Sequence, residues 1–180
     1  MKRMVLAVLA VLAVVCLVGV GSLTAQGVRF GVGGGLLLPM GDYGTADKMG
    51  FTAGAGVVFP IGTAPVAVRV EGSYSQTSHD GIGGKSKIMG GMASLVYSFS
   101  GAGTVTPYVL AGLGYYNVKV DVTGFGSFDE SKVGFGGGGG LRFPMGSASL
   151  FVEARYMNIS TTGGSTTFMP IIAGLSFGGK

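Results

Sequence analysis

From Gln26 onward, apolar residues recur at every second position, and the residues between them are small, polar or charged. No other feature of the chain constrains its fold as tightly. Side chains alternate between the two faces of a β-strand, whereas a helix would scatter both sets over every face. Between Ala64 and Ser75, Val66, Val68, Val70 and Tyr74 share one phase, while Ala67, Arg69, Glu71, Ser73 and Ser75 share the other. Ala148 to Asn158 repeats the arrangement: Leu150, Val152, Ala154 and Tyr156 alternate with Ser149, Phe151, Glu153, Arg155 and Met157.

Eight segments read this way, over about 27–39, 49–60, 65–76, 87–99, 105–119, 131–143, 148–160 and 166–177. Each reaches the ~9–11 residues that a tilted strand needs to cross a bilayer. The phase opposite the apolar one is rich in glycine: Arg29, Gly31, Gly33 and Gly35 in the first segment, Lys132, Gly134, Gly136, Gly138, Gly140 and Arg142 in the sixth. A soluble sandwich would bury its apolar phase, but glycines offer no side chains to build the rest of a core. Only 11% of residues are charged, 47% are hydrophobic and 37 are glycine, against about 25% charged in ordinary soluble domains. The pattern therefore predicts an all-β fold: an eight-stranded antiparallel transmembrane barrel, an up-and-down meander with apolar residues toward lipid and small or polar ones toward the lumen. The lumen glycines are expected to let the wall curve and to keep the interior open or hydrated.

Connections and aromatics agree with that reading. Short turns are expected around Gly62, Ser100–Gly103 and Met145–Ser147, and longer outside loops at Met40–Lys48, Thr77–Ser86 and Val120–Glu130, with a short one at Gly163-Gly164. Phe59, Phe99, Phe143 and Phe177 close the four descending strands, and Phe51, Tyr74, Tyr115, Phe135 and Tyr156 lie toward the other ends, as two aromatic girdles would. Val58-Phe59-Pro60-Ile61-Gly62 and Arg142-Phe143-Pro144-Met145-Gly146 form a weak repeat, each ending a descending strand on proline.

The N-terminus reads differently. Lys2 and Arg3 precede an apolar run from Met4 to Val20, and Ser22-Leu23-Thr24-Ala25 offers a small-residue exit. Residues 1–25 are expected to be a cleaved signal peptide and 26–180 the barrel domain, with an uncleaved anchor as the alternative. The one cysteine, Cys16, falls in the leader after Val15, a poor setting for lipoprotein processing, so the mature chain is expected to have no thiol chemistry. Without Lys2 and Arg3, ten basic residues face eight acidic ones, about +2 in all. That excess is too small to suggest a nucleic-acid partner.

The chain resembles the small outer-membrane β-barrel family, of the OmpA and OmpX kind, over essentially its whole mature length. The most specific element is Met169-Pro170-Ile171-Ile172-Ala173-Gly174-Leu175-Ser176-Phe177. In that family an alternating last strand closing on an aromatic is read by the barrel-assembly machinery. The resemblance assigns this role to Ile171, Ala173, Leu175 and Phe177; Gly178-Gly179-Lys180 departs from it by following the aromatic. It implies a monomer in the outer membrane. The implied partners are membrane lipid and lipopolysaccharide, with periplasmic chaperones and the assembly machinery during biogenesis, and no cofactor.

Candidate chemistry concentrates in the lumen phase. Arg29, Arg69, Glu71, Lys132, Arg142, Glu153 and Arg155 all fall there. Charges in so narrow a space are expected to pair, which would plug and rigidify the barrel; an excess of arginine could instead form an anion-selective ring. Gly81-Ile82-Gly83-Gly84-Lys85-Ser86 has the ending of a phosphate-binding loop, but His79 stands where that motif needs glycine and no helix follows. His79, the one histidine, has Ser75, Ser78 and Asp80 nearby, all on one expected solvated loop without a second element to set a catalytic geometry. Asp42, Asp47, Asp80, Asp121, Asp129 and Glu130, with Lys48, Lys85 and Lys87, are likewise assigned to solvated outside loops, without the spacing of a metal site. Asn158-Ile159-Ser160 is a sequon without force in a bacterial outer membrane. No enzyme is expected. The open choices are a structural or surface-interaction barrel, a narrow pore, and, less favoured, a lipid-modifying enzyme; fold alone does not choose.

Overall fold

The computed structural model describes residues 27–79, 84–99, 104–122, 126–161 and 164–179. The expected signal peptide with Cys16, the loop residue Asp80 and Gly81–Gly83 of the glycine-rich stretch lie outside them. Eight antiparallel strands close into one barrel in sequence order: β1 (Arg29–Met40), β2 (Gly50–Pro60), β3 (Val66–Ser78), β4 (Gly84–Ser98), β5 (Thr106–Val122), β6 (Gly126–Met145), β7 (Ala148–Thr161) and β8 (Gly164–Gly178). β1 pairs with β8 from Arg29↔Gly178 to Met40↔Thr167, so the sheet closes on itself. One short helix, α1 (Gly41–Ala46), joins β1 to β2. At the β6–β7 turn only Gly146 and Ser147 separate the strands, and Gly146 takes φ 68°, a conformation that costs glycine little.

The expected phases hold along every strand. Leu113 is 64% exposed, Leu95 59% and Val133 59%, an outward face that only lipid would cover. From Met89 to Phe99 this apolar face runs ten residue steps, about 25 Å of height at ~3.3 Å per residue and ~40° tilt. Above it the outward residues turn polar and bond laterally. Tyr74 donates to Gln76 at 3.1 Å, Asn117 Nδ2 to Ser131 Oγ at 3.1 Å, and Asn158 Nδ2 to Thr167 Oγ1 at 3.0 Å. This ring marks the upper edge of the lipid band.

The long outside loops expected from Thr77 to Ser86 and from Val120 to Glu130 are mostly strand instead. β3–β4 pairing runs up to Ser78↔Lys85, and β5–β6 pairing up to Val122↔Gly126. The expected alternation of loop lengths fails accordingly: β4 and β5 are separated by more residues than β5 and β6. The reason is a reversal of polarity. Above the lipid band Lys85, Lys87, Lys119 and Asp121 face outward on β4 and β5, while Ile88 and Val118 face inward and are buried. The period of two continues, but with the charges outside, as in a water-soluble sheet.

Candidate functional site

The inward residues stack in layers. At the extracellular end Leu37 and Ile159 are fully buried, with Ile88, Tyr116, Val118, Met157 and Phe168 around them. They form a small apolar core that closes the lumen from above.

Beneath it lies an ionic layer built from the facing strands β3 and β7. Arg69 Nη1 donates to Glu153 Oε2 at 2.8 Å, and Arg69 Nε lies 3.0 Å from Glu71 Oε2, an ion pair outside hydrogen-bond geometry. Arg155 donates to both Glu71 and Glu153, with Nη2 2.9 Å from Glu71 Oε2. Glu153 is 1% exposed. Two cations and two anions thus alternate across the lumen, each touching two of the other sign, which offsets the cost of taking them out of water. Ser75 donates to Thr52 at 2.9 Å at the same side of the wall.

The other residues assigned to this network lie elsewhere. Arg29 and Arg142 sit at the periplasmic end, where Arg142 donates to Ser98 Oγ at 3.1 Å and lies 5.7 Å from the centre of the Tyr108 ring. Lys132 is at the extracellular rim, 2.9 Å from Glu130. Sequence phase places all of these in the lumen but carries no height, and height decides which of them meet.

The lumen glycines do something other than keep the interior open. A Cβ built on Gly140 would stand 2.6 Å from the Tyr108 hydroxyl, and one on Gly114 2.6 Å from Tyr116 Cε2. A Cβ on Gly134 would lie 3.1 Å from Tyr116 Cδ2, and one on Gly33 3.1 Å from Phe151 Cζ. Glycine makes room for an aromatic ring, from its own strand at Gly114 and from another at Gly33, Gly134 and Gly140. Space remains chiefly along β1–β3, as a cavity of about 110 Å³ lined by Gly31, Gly33, Gly54, Thr52 and Ser73 and reaching Arg29 and Arg142.

The girdle aromatics lie where the apolar phase put them. Phe59, Phe99 and Phe177 are exposed and Phe143 is half-buried; Phe99 packs edge-on against Tyr97 at 5.0 Å. Phe51 contacts Tyr74 at 6.1 Å, and Tyr115, Phe135 and Tyr156 stand exposed on the outward face. Ile171, Ala173, Leu175 and Phe177 all face outward on β8, with Phe177 opposite Phe30, which sequence reading missed.

His79 and Asp47 are not on solvated loops. Their backbones form an isolated bridge, His79 Nδ1 lies 2.6 Å from Asp47 Oδ1, and Ser86 Oγ donates to Asp47 Oδ2 at 2.7 Å. Tyr43 of α1 hydrogen-bonds Thr77 Oγ1 at 2.8 Å, and burial pushes its phenol up to about 12. Lys48 N donates to Ser78 O at 2.8 Å. Together these bonds tie α1 and the residues that follow it to the upper ends of β3 and β4. Because Ser86 donates to Asp47 and not to His79, no activated hydroxyl results. Asp47→Ala is expected to raise protease cleavage within 41–48 while the strands stay folded; unchanged cleavage would show that the clasp holds nothing. Among the described residues no three His, Cys, Asp or Glu side chains converge as metal ligands would.

A family model described as outer membrane protein beta-barrel domain matches residues 9–177. Neisserial surface protein A superposes with a TM-score of 0.65 at 20% identity, covering 83% of this chain and 96% of that one. The attachment invasion locus protein Ail of Yersinia pestis gives 0.51 at 21% identity, covering 84% and 99%. The outer membrane enzyme PagL gives 0.53 at 17% identity, covering 83% and 99%. No curated protein matches by sequence. At such identities the likeness is one of fold.

Proposed function

The chain belongs to the family of outer-membrane β-barrel proteins, and from that premise we propose that it is a sealed barrel, held in the outer membrane by its outward face and working through its extracellular rim. The observation that carries this reading is the layering of the lumen. A buried apolar core stands above an ionic layer in which every charge is paired, and in this reading the two layers together bar solute. The rival reading, a narrow pore, draws on the cavity along β1–β3, but that cavity meets the apolar core before it meets the outside. Vesicles containing the purified protein should swell in small sugars no faster than empty vesicles. Swelling that quickens as the sugar shrinks would favour the pore.

The rim has the charge to engage the membrane's outer leaflet. Lys87 and Lys119 are direct neighbours across β4 and β5, and Lys85 stands beside them opposite Asp121. Asp121 lies 2.9 Å from Lys87 and 3.5 Å from Lys119. Two of these cations share one carboxylate, with the third in register opposite it, just above the lipid band and at the height of headgroup phosphates. In this reading lipopolysaccharide is bound there. It should raise the unfolding temperature of the wild type more than that of a Lys85→Gln, Lys87→Gln, Lys119→Gln variant, and equal rises would remove the rim from the account. His79 has a positioning role in it, as part of the α1 clasp, and no catalytic one.

A further inference from the structure

Among the described residues, two guanidiniums at the base of the lumen have no carboxylate. Arg29 opens β1 and Arg142 lies near the end of β6, and both line the cavity that runs up along β1–β3. Glu71 and Glu153 are each already held by Arg69 and Arg155. Among the described residues no acid comes within ion-pair distance of Arg29 or Arg142. Arg142 is aimed by Ser98 Oγ, which accepts from Nη2 at 3.1 Å, and by the face of Tyr108 beneath its guanidinium. Arg29 is held by its stem: a Cβ built on Gly179 would stand 2.7 Å from Arg29 Cγ. Like charges brought together in a partly desolvated wall are costly, and an oxyanion between them would offset both the repulsion and the lost hydration.

We propose that Arg29 and Arg142 form an oxyanion site at the periplasmic base of the lumen, for a small phosphate- or carboxylate-bearing solute. Arginine forks match the paired oxygens of such groups. The Ser98 hydroxyl accepts from Arg142 and keeps its own proton to donate to the ligand. The cavity, about 110 Å³, has room for a small ion of this kind beside the two guanidiniums. The site holds whether or not the lumen conducts.

Titration of inorganic phosphate into the protein in an uncharged maltoside detergent, followed by calorimetry, tests this without competing lipid phosphate. Saturable binding of one phosphate per chain is expected. Arg29→Gln and Arg142→Gln should each weaken it at least about tenfold, the double variant should abolish it, and Tyr115→Phe on the outward face should leave it unchanged. No saturable binding, or equal binding by the double variant, would overturn the site. Should the double variant not fold, amide and guanidinium shifts of the wild type decide: phosphate must perturb Arg29, Ser98 and Arg142 first, and a response centred on the rim lysines counts against the proposal.

Discussion

Glu153→Ala is expected to cost the barrel about 3–5 kcal/mol of unfolding free energy, the range for breaking a buried ion pair from one side. Glu153 is 1% exposed and accepts from both Arg69 and Arg155, so its loss leaves two buried cations with one carboxylate between them. Adding Arg69→Met should recover part of the loss, because Arg155 and Glu71 then remain as a matched pair. Such non-additivity is the mark of a network. Glu130→Ala, which removes the partner of half-exposed Lys132 at the rim, should cost no more than about 1 kcal/mol. Urea unfolding in detergent micelles, followed by circular dichroism, measures all of these. A Glu153→Ala barrel within about 1 kcal/mol of wild type would mean that the ionic layer contributes nothing to the plug.

Two neighbouring tyrosines should behave oppositely. Tyr116 is 3% exposed and lies over Gly90, Gly114 and Gly134, whereas Tyr115 is 58% exposed on the outward face. Tyr116→Ala strips the ring that covers three glycines of the wall. It should destabilise by about 3–5 kcal/mol, as large-to-alanine changes in packed cores do. Tyr115→Ala exchanges one lipid contact for another and should cost a small fraction of that. The same unfolding assay compares them, and similar losses for both would contradict the division of the strand into a lipid face and a packed lumen face.

That division was legible in the sequence because parity along a strand needs no knowledge of its neighbours. The alternation of Val68, Val70 and Tyr74 with Arg69, Glu71 and Ser73 names both faces before any pairing is known. Strand register is different, and what depends on it was not legible. Tyr116 covers Gly90 and Gly134 only because β4, β5 and β6 pair as they do, so the glycines read as empty space when they are sockets for rings. Height is also set by register, which is why Arg29 and Lys132 joined the ionic network on paper and stand at opposite ends of the lumen. Asp47 and His79, 32 residues apart, meet at a single bridge that no periodicity announces. The strand extensions were hidden by a change of solvent: Lys85, Lys87 and Asp121 look like loop residues to a reader expecting lipid on the outward face. Above the lipid band they are what an outward face should carry.

The central claim is that the lumen is sealed, and single-channel recording of the purified protein in a planar bilayer tests it most directly. With insertion established independently, for example by protease protection of the strands, the wild type should give no conductance steps. Reproducible steps of uniform size from the wild-type barrel would contradict the account, and would mean that the apolar layer of Leu37, Ile88, Ile159 and Phe168 opens in the membrane.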